Sequence, residues 1–294
     1  MNPQHDPAWY DRQYNNRALI PEHPAIFERW DADSARVRER LAPRAAFDVP
    51  YNDAGRSDAS QQLDVFRPAP SNAAAPVLVF IHGGYWRSLD KVNLEFVAGP
   101  FVDAGAVVVV PNYTLCPKVT IDEIVMQMVE ATAWTWRHAA EYGGDASRLV
   151  VAGHSAGGHL AAMLMKCRWR EVAPDLPANL VTRAISISGV FDLEPLRHAE
   201  FVAPDLRLTE ASAAKLSPAW MPAPSGRLIA VVGANESDEF RRQNRLIRDR
   251  WGVGAVPICE EVPERRHLDV LDDLVDPGKR LHRQTLDMLE LAWA

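Results

Sequence analysis

One serine of this sequence lies in a pattern that suits a nucleophile. Residues 153–157 read Gly-His-Ser-Ala-Gly, centred on Ser155, and they follow an apolar run. In such a pattern a strand ends, the serine occupies a strained turn and a helix of small residues begins. The flanking glycines let strand and helix approach closely, and the helix N-terminus favours negative charge nearby. Ser155 is therefore the predicted nucleophile of an acyl-transfer reaction.

A glycine-rich segment upstream of this serine could stabilise the negative charge that develops on a carbonyl oxygen. Residues 82–86 read His-Gly-Gly-Tyr-Trp and also follow an apolar run. Because glycines let the backbone approach a reacting carbonyl, the N–H groups of Gly83 and Gly84, with that of Ala156, are the predicted oxyanion donors. His82 is predicted to hold this loop by a hydrogen bond.

A nucleophilic serine of this kind needs a carboxylate and a histidine base, in the chain order serine, acid, histidine. The acid should follow a late strand, and Glu236 stands shortly after the apolar run at 228–232. Glu236 is therefore the first choice. Two alternatives stay open: Asp238, which could instead cap the following helix, and Asp192, which follows an earlier strand.

His267 is the predicted base, because it lies in a loop between a predicted strand at 256–262 and a helix. His159 stands one helical turn after the nucleophile, where a side chain usually packs, and it precedes the acid in the chain. His198 and His282 are assigned to surface or core. No pair of histidines has the spacing of a metal site, so neither a metal nor another cofactor is predicted.

The elements that must position these groups are indicated by hydrophobic periodicity. Short apolar runs without alternating polarity predict strands buried on both faces of a sheet; they occupy 77–81, 106–110, 149–152, 184–187 and 228–232. Predicted helices lie at 31–42, 156–167, 239–251 and 278–292, and a further apolar stripe at helical spacing starts at Ile121. This alternation predicts an α/β fold, a mostly parallel sheet with helices on both faces.

Composition excludes several classes of protein. The 294 residues are 47% hydrophobic and 24% charged, and no apolar run approaches the roughly 18 residues that span a bilayer. The net charge of −7 gives no general attraction for nucleic acid. The predicted partner is a small-molecule substrate, with no membrane or nucleic-acid partner; a homodimer stays open.

Cysteine usage and the N-terminus bear on the compartment. Cys116, Cys167 and Cys259 are an odd number without Cys-x-x-Cys spacing, so neither a disulfide framework nor a zinc site is predicted. The first residues are polar and carry no signal-peptide pattern. The expected location is cytoplasmic.

Taken together, these motifs resemble those of the arylformamidases, also called kynurenine formamidases, of the α/β-hydrolase superfamily. The likeness covers most of the chain, ends with His267 and rests on segments 9–17, 82–86, 112–117, 153–160, 188–196 and 237–243. The resemblance implies an α/β-hydrolase fold and hydrolysis of N-formylkynurenine, a step of tryptophan catabolism. It places the nucleophile on Ser155 and the base on His267.

The sequence departs from the family at the acid. The family pattern usually reads Asp-Ser-Pro-Glu-Phe, whereas residues 236–240 read Glu-Ser-Asp-Glu-Phe. Glutamate can orient a histidine, but its extra methylene moves the carboxylate, which leaves the acid and the substrate open. Two rival functions are a broad carboxylesterase acting on short-chain or aryl esters and a binding protein that has lost catalysis. The ordered serine, acid and histidine argue against the second.

A single domain over 1–294 is expected. Residues 1–44 are predicted to form an arm, irregular up to the helix at 31–42, which packs on the domain because its scattered aromatic residues favour burial. The segment 191–224 is a predicted cap insertion. Tyr85 and Trp86 are predicted to bind substrate by flanking an aromatic leaving group, with core packing as the alternative.

Overall fold

In the computed structural model, which describes residues 5–52 and 58–292, eight strands form one sheet. The strands are β1 Ala45–Pro50, β2 Gln62–Phe66, β3 Ala75–Ile81, β4 Val107–Pro111, β5 Gly144–His154, β6 Arg183–Ile187, β7 Arg227–Gly233 and β8 Ile258–Val262. Their order across the sheet is β1-β2-β4-β3-β5-β6-β7-β8. The pairs β1–β2 and β2–β4 are antiparallel and the other pairs are parallel, which confirms the predicted mostly parallel α/β sheet.

Helices connect most of the strands and cover the sheet. In the described part of the chain the α-helices are α1 Pro7–Tyr14, α2 Asn16–Leu19, α3 His23–Leu41, α4 Ala98–Asp103, α5 Ile121–His138, α6 Ala156–Leu164, α7 Trp169–Val172, α8 Ala203–Leu206, α9 Glu210–Lys215, α10 Asp238–Ala255, α11 Val270–Val275 and α12 Arg280–Met288. The predicted helices at 156–167, 239–251 and 278–292 correspond to α6, α10 and α12, with ends that differ by at most four residues. None of these helices combines the length and apolar character needed to cross a membrane.

The core is divided by the sheet into two layers. Every residue of β3 is buried, and because successive strand side chains point to opposite faces, its neighbours enter different layers. Val79 joins the layer that contains Leu160 of α6 and Phe240 of α10. Phe80 joins the layer that contains Trp30 of α3 and Phe101 of α4. Burial on both faces explains why the apolar runs lack alternation.

The N-terminal segment is helical, which corrects the prediction of an irregular arm. Asp6 caps α1 by accepting the backbone N–H of Trp9, and the helix begins at a proline, a residue favoured at that position. Asn15 caps α2 in the same way. The third helix, α3, starts eight residues before the predicted 31–42 segment. These polar helices have few apolar positions, so periodicity alone gave little sign of them.

Aromatic side chains attach the N-terminal helices to the remainder of the fold. Tyr10, Tyr14 and Trp30 are buried. The Tyr14 hydroxyl donates to Oε2 of Glu239 at 2.7 Å, which links α1 to the start of α10. The first helices therefore lie beside the carboxyl ends of the parallel strands, where α/β proteins place their functional groups.

Candidate active site

Ser155 occupies a strained turn between β5 and α6. Its backbone has φ 56° and ψ −115°, a conformation that costs energy for a residue with a side chain. The flanking glycines make the turn sterically feasible. A Cβ at Gly153 would collide with the backbone of Gly157, and one at Gly157 with the carbonyl oxygen of Ile81. The local sequence therefore places Ser155 at the edge of the sheet.

Backbone donors surround this turn. In the described part of the chain no hydrogen bond is donated by the N–H groups of Gly83, Gly84 or Ala156. Gly83 lies directly against the serine, since a Cβ built on it would stand 3.1 Å from the Cβ of Ser155. Gly84 has φ +101°, which favours glycine. The three predicted oxyanion donors are thus unpaired and close to the serine turn.

His82 holds the glycine loop, as predicted. Its Nδ1 donates to the carbonyl oxygen of Gly83 at 2.8 Å. The ring stacks on Tyr113 with centroids 4.1 Å apart, and the Tyr113 hydroxyl donates to the carbonyl oxygen of His82 at 3.1 Å. Complete burial lowers the pKa of His82, and the ring serves as a structural donor to the loop.

His267 and Glu236 form a buried pair. Nδ1 of His267 lies 2.7 Å from Oε2 of Glu236, whose side chain is completely buried. The other carboxylate oxygen accepts the Gly233 N–H at 2.7 Å and the Ser188 hydroxyl at 2.5 Å. His267 and Ser155 line the same cavity. The structure therefore brings together the predicted nucleophile, acid and base.

The two alternative carboxylates lie elsewhere. Asp238 begins α10 with its side chain 79% exposed and paired with Arg241. Ser237, not Asp238, caps that helix. Asp192 accepts the indole N–H of Trp220 at 3.3 Å. Of the three candidate acids, all within the described residues, Glu236 alone contacts His267.

The other candidate histidines have structural contacts. Nε2 of His159 donates to the carbonyl oxygen of Leu216 at 2.8 Å, and burial lowers the pKa of His159 to about 4. Nδ1 of His282 donates to the carbonyl oxygen of Leu274 at 2.9 Å. His198 lies beside Glu194. Within residues 5–52 and 58–292, no three histidine, cysteine, aspartate or glutamate side chains are grouped so that they could hold a metal ion.

Two residues that hold the histidine–carboxylate pair in place were not predicted from the sequence. Ser188 lies in the turn after β6, and its hydroxyl donates to Oε1 of Glu236, which stands 48 residues later in the chain. His154 donates from Nε2 to the backbone carbonyl oxygen of His267 at 2.7 Å, and burial holds the pKa of His154 well below its usual value. His154 thus fixes the loop that carries His267. Its position next to Ser155 was the one available signal.

A cavity of about 60 Å³, partly open to solvent, lies beside Ser155. Besides Ser155 and His267, the lining residues are Asn15, Asn16, Arg17, Phe27, Trp30, Gly84, Tyr85, Arg87, Ser88, Leu89, His154, Phe201 and Leu268. The N-terminal helices and the 191–224 segment, through Phe201, therefore both contribute to its walls.

Trp86 is not part of this lining, which corrects its prediction as a substrate-binding residue. It is fully buried and packs edge-on against His159, with ring centroids 5.0 Å apart. Both Tyr85 and Trp86 have left-handed backbones, with φ 53° and 55°. The tight turn directs Tyr85 to the cavity and Trp86 into the core.

Comparisons with known proteins agree with this architecture. A family model described as BD-FAE matches residues 63–202. The kynurenine formamidase of Danio rerio is 31% identical to this chain over 97% of the chain and 94% of that protein. The kynurenine formamidase of Salmo salar is 29% identical, over 98% and 95% respectively.

Among solved structures, a protein of Silicibacter sp. TM1040 assigned as a thioesterase is 29% identical. It superposes with a TM-score of 0.79 and covers 92% of this chain and 96% of its own. The sheet order of this chain and its buried histidine–carboxylate pair beside a strained serine are consistent with these similarities. The chain is a hydrolase with the α/β-hydrolase fold and belongs to the kynurenine formamidase family.

Proposed function

We propose that this enzyme is a serine hydrolase of aryl formamides, with N-formylkynurenine as its substrate and an acyl-serine on Ser155 as its intermediate. The observation that carries the proposal is the 2.7 Å contact of Glu236 with His267, which lines the same cavity as Ser155. The full-length similarity to kynurenine formamidases supports the choice of a formamide.

The first step forms the acyl-enzyme. Oγ of Ser155 transfers its proton to Nε2 of His267 and attacks the formyl carbon. The carbonyl oxygen becomes an oxyanion that accepts the free N–H groups of Gly83, Gly84 and Ala156. One such donor typically stabilises the transition state by about 3 to 4 kcal/mol. His267 then gives the proton to the departing aryl amine, and formyl-serine remains.

The second step restores the enzyme. A water molecule loses a proton to His267 and attacks the formyl-serine carbonyl, through an oxyanion held by the same donors. Formic acid leaves as His267 returns the proton to Oγ of Ser155, and the acid ionises to formate in solution. The sum of the two steps is hydrolysis of one amide bond by one water molecule.

Glu236 keeps His267 in the tautomer that this cycle needs. Because its Oε2 accepts the Nδ1 proton, Nε2 of His267 is free to act as the base. Gly233 and Ser188 donate hydrogen bonds to the other oxygen, so both carboxylate oxygens of Glu236 are held. This arrangement lets the glutamate side chain present Oε2 to His267.

Glu236→Gln is expected to lower kcat about 10⁴-fold, because an amide at this position favours the wrong tautomer of His267. Asp238→Asn is the matched control, since that carboxylate is exposed and is expected to change kcat less than twofold. Steady-state rates of the two variants on one aryl substrate make the comparison. If Asp238→Asn were the slower enzyme, the acid would be misassigned.

The cavity walls favour an aromatic leaving group and a small acyl group. Phe27, Trp30, Tyr85 and Phe201 all line it. The hydroxyl of Tyr85 donates to the carbonyl oxygen of Tyr14 at 2.6 Å, which fixes this ring beside the glycine loop. Phe201 belongs to the 191–224 segment and supports the proposal that this segment caps the site.

The substrate assignment is tested with formyl, acetyl, butyryl and hexanoyl groups on a common aryl leaving group, together with N-formylkynurenine. We expect kcat/KM to be greatest for formyl and to fall about tenfold or more per step, because a small pocket rejects each methylene at a cost of about 1 to 3 kcal/mol. The kcat/KM for N-formylkynurenine should be comparable to that for the formyl compound of this series.

A flat or rising series would favour the rival function, a broad carboxylesterase. The thioesterase assignment of the Silicibacter protein is consistent with that rival. If kcat/KM fell steeply along the acyl series but N-formylkynurenine was not measurably cleaved, the small acyl pocket would be supported and the formamidase assignment would be wrong.

A further inference from the structure

The cavity beside Ser155 carries an excess of positive charge. None of its lining residues, all within the described part of the chain, is aspartate or glutamate, whereas two are arginines, Arg17 and Arg87. The chain as a whole has a net charge of −7, which repels anions at long range. A local pair of guanidinium groups in an otherwise acidic protein therefore calls for a specific explanation.

The two arginines differ in their partners. Arg87 forms an ion pair with Asp205, which offsets its charge. No ion pair links Arg17 to a carboxylate among the described residues. Nη2 of Arg17 instead donates to the hydroxyl of Ser88 at 3.1 Å, and the guanidinium stands 5.5 Å from the ring centroid of Phe27. Partial burial and the charge of Arg87 both lower the pKa of Arg17, as expected for a cation without a counter-ion.

Asn16 provides a second, independent sign of a missing ligand. It is only 6% exposed and lines the cavity, yet its Nδ2 has no hydrogen-bond partner. A buried amide nitrogen without an acceptor is unfavourable, and native proteins rarely retain one without a reason. A ligand oxygen at this place would satisfy it.

The backbone that carries these two residues is firmly held. The carbonyl oxygen of Tyr14 accepts the Tyr85 hydroxyl, and the Tyr14 hydroxyl donates to Glu239 near the start of α10. Asn15 caps the short helix that begins with Asn16. The segment that carries Asn16 and Arg17 is thus tied both to the glycine loop and to the element that follows Glu236.

We propose that Arg17 and Asn16 form a subsite for a carboxylate on the leaving group, so that the enzyme selects aryl formamides that carry a carboxylate over those that lack one. The inference rests on the proposed function, because it assigns a part of that substrate. Guanidinium and amide N–H groups together match the oxygens of a carboxylate.

The test compares N-formylkynurenine with its carboxamide, in which a neutral group of similar shape replaces the carboxylate. For the unmodified enzyme we expect kcat/KM to be at least tenfold greater with the carboxylate. Arg17→Gln should lower this ratio about tenfold, chiefly through a higher KM, because the contact lies away from the reacting atoms. Arg17→Lys should keep part of the preference, and added salt should weaken it.

Arg36→Gln is the control, because this α3 arginine is 73% exposed, pairs with Asp33 and does not line the cavity. Its ratio should equal that of the unmodified enzyme. The carboxylate subsite would be overturned if the ratio of kcat/KM for the carboxylate to that for the carboxamide were near one in the unmodified enzyme, or if Arg17→Gln left this ratio unchanged. In either case, hydrolysis of both compounds would still support the formamidase. Failure to hydrolyse either compound would instead overturn the proposed function and this subsite with it.

Discussion

Ser155→Ala is expected to lower kcat about a millionfold on every substrate, because the nucleophile carries the covalent step and losses of this size are typical for such a serine. The free energy of unfolding should change little. Alanine keeps the Cβ that the strained turn already accommodates and removes only a hydroxyl. The measurements are the turnover rate with an aryl formate and the midpoint of denaturant unfolding.

Ser147→Ala is the matched control, since this serine belongs to the same strand, β5, but hydrogen-bonds Asp145 far from the cavity. It should retain full activity. Turnover by the Ser155 variant within about tenfold of the unmodified enzyme would mean that another group is the nucleophile.

His267→Ala should be nearly as severe as Ser155→Ala, because nucleophile and base act as one unit. For the same reason the double variant Ser155→Ala with His267→Ala should be no slower than either single variant. Their combined effect is therefore far from additive. Single-turnover rates, normalised to the amount of folded protein, provide the comparison.

Two other histidines supply the controls. His159→Ala and His282→Ala remove side chains that donate to the carbonyl oxygens of Leu216 and Leu274, so they should reduce stability more than turnover of the folded enzyme. If either abolished turnover while His267→Ala remained active, the base would be wrongly assigned.

The central strands of the sheet could be predicted from the sequence because they are buried on both faces. The fully buried β3 reads as a continuous apolar run, and the following helices have clear periodicity. The N-terminal helices could not be predicted in this way. Their formation depends on caps by Asp6 and Asn15, and their burial depends on distant elements such as α10.

The candidate site followed from chain order for the groups that stand at strand ends. Ser155, Glu236 and His267 each lie just past a strand, so parallel topology brings them to one edge. Ser188 and Asn16 lie in the site through contacts across the fold. Both stand in segments that carry the family resemblance, 188–196 and 9–17, but nothing in those segments assigned them a role. Trp86 was misplaced because the direction of its side chain depends on backbone dihedrals of a turn, which its residue type does not reveal.

The covalent intermediate on Ser155 can be tested by reaction of the enzyme with a fluorophosphonate, followed by peptide mass spectrometry. We expect one adduct per chain, on the peptide that contains Ser155, with loss of activity in proportion to labelling. The adduct should be absent from Ser155→Ala. Labelling of a different residue, or continued hydrolysis by a fully labelled enzyme, would mean that Ser155 is not the nucleophile.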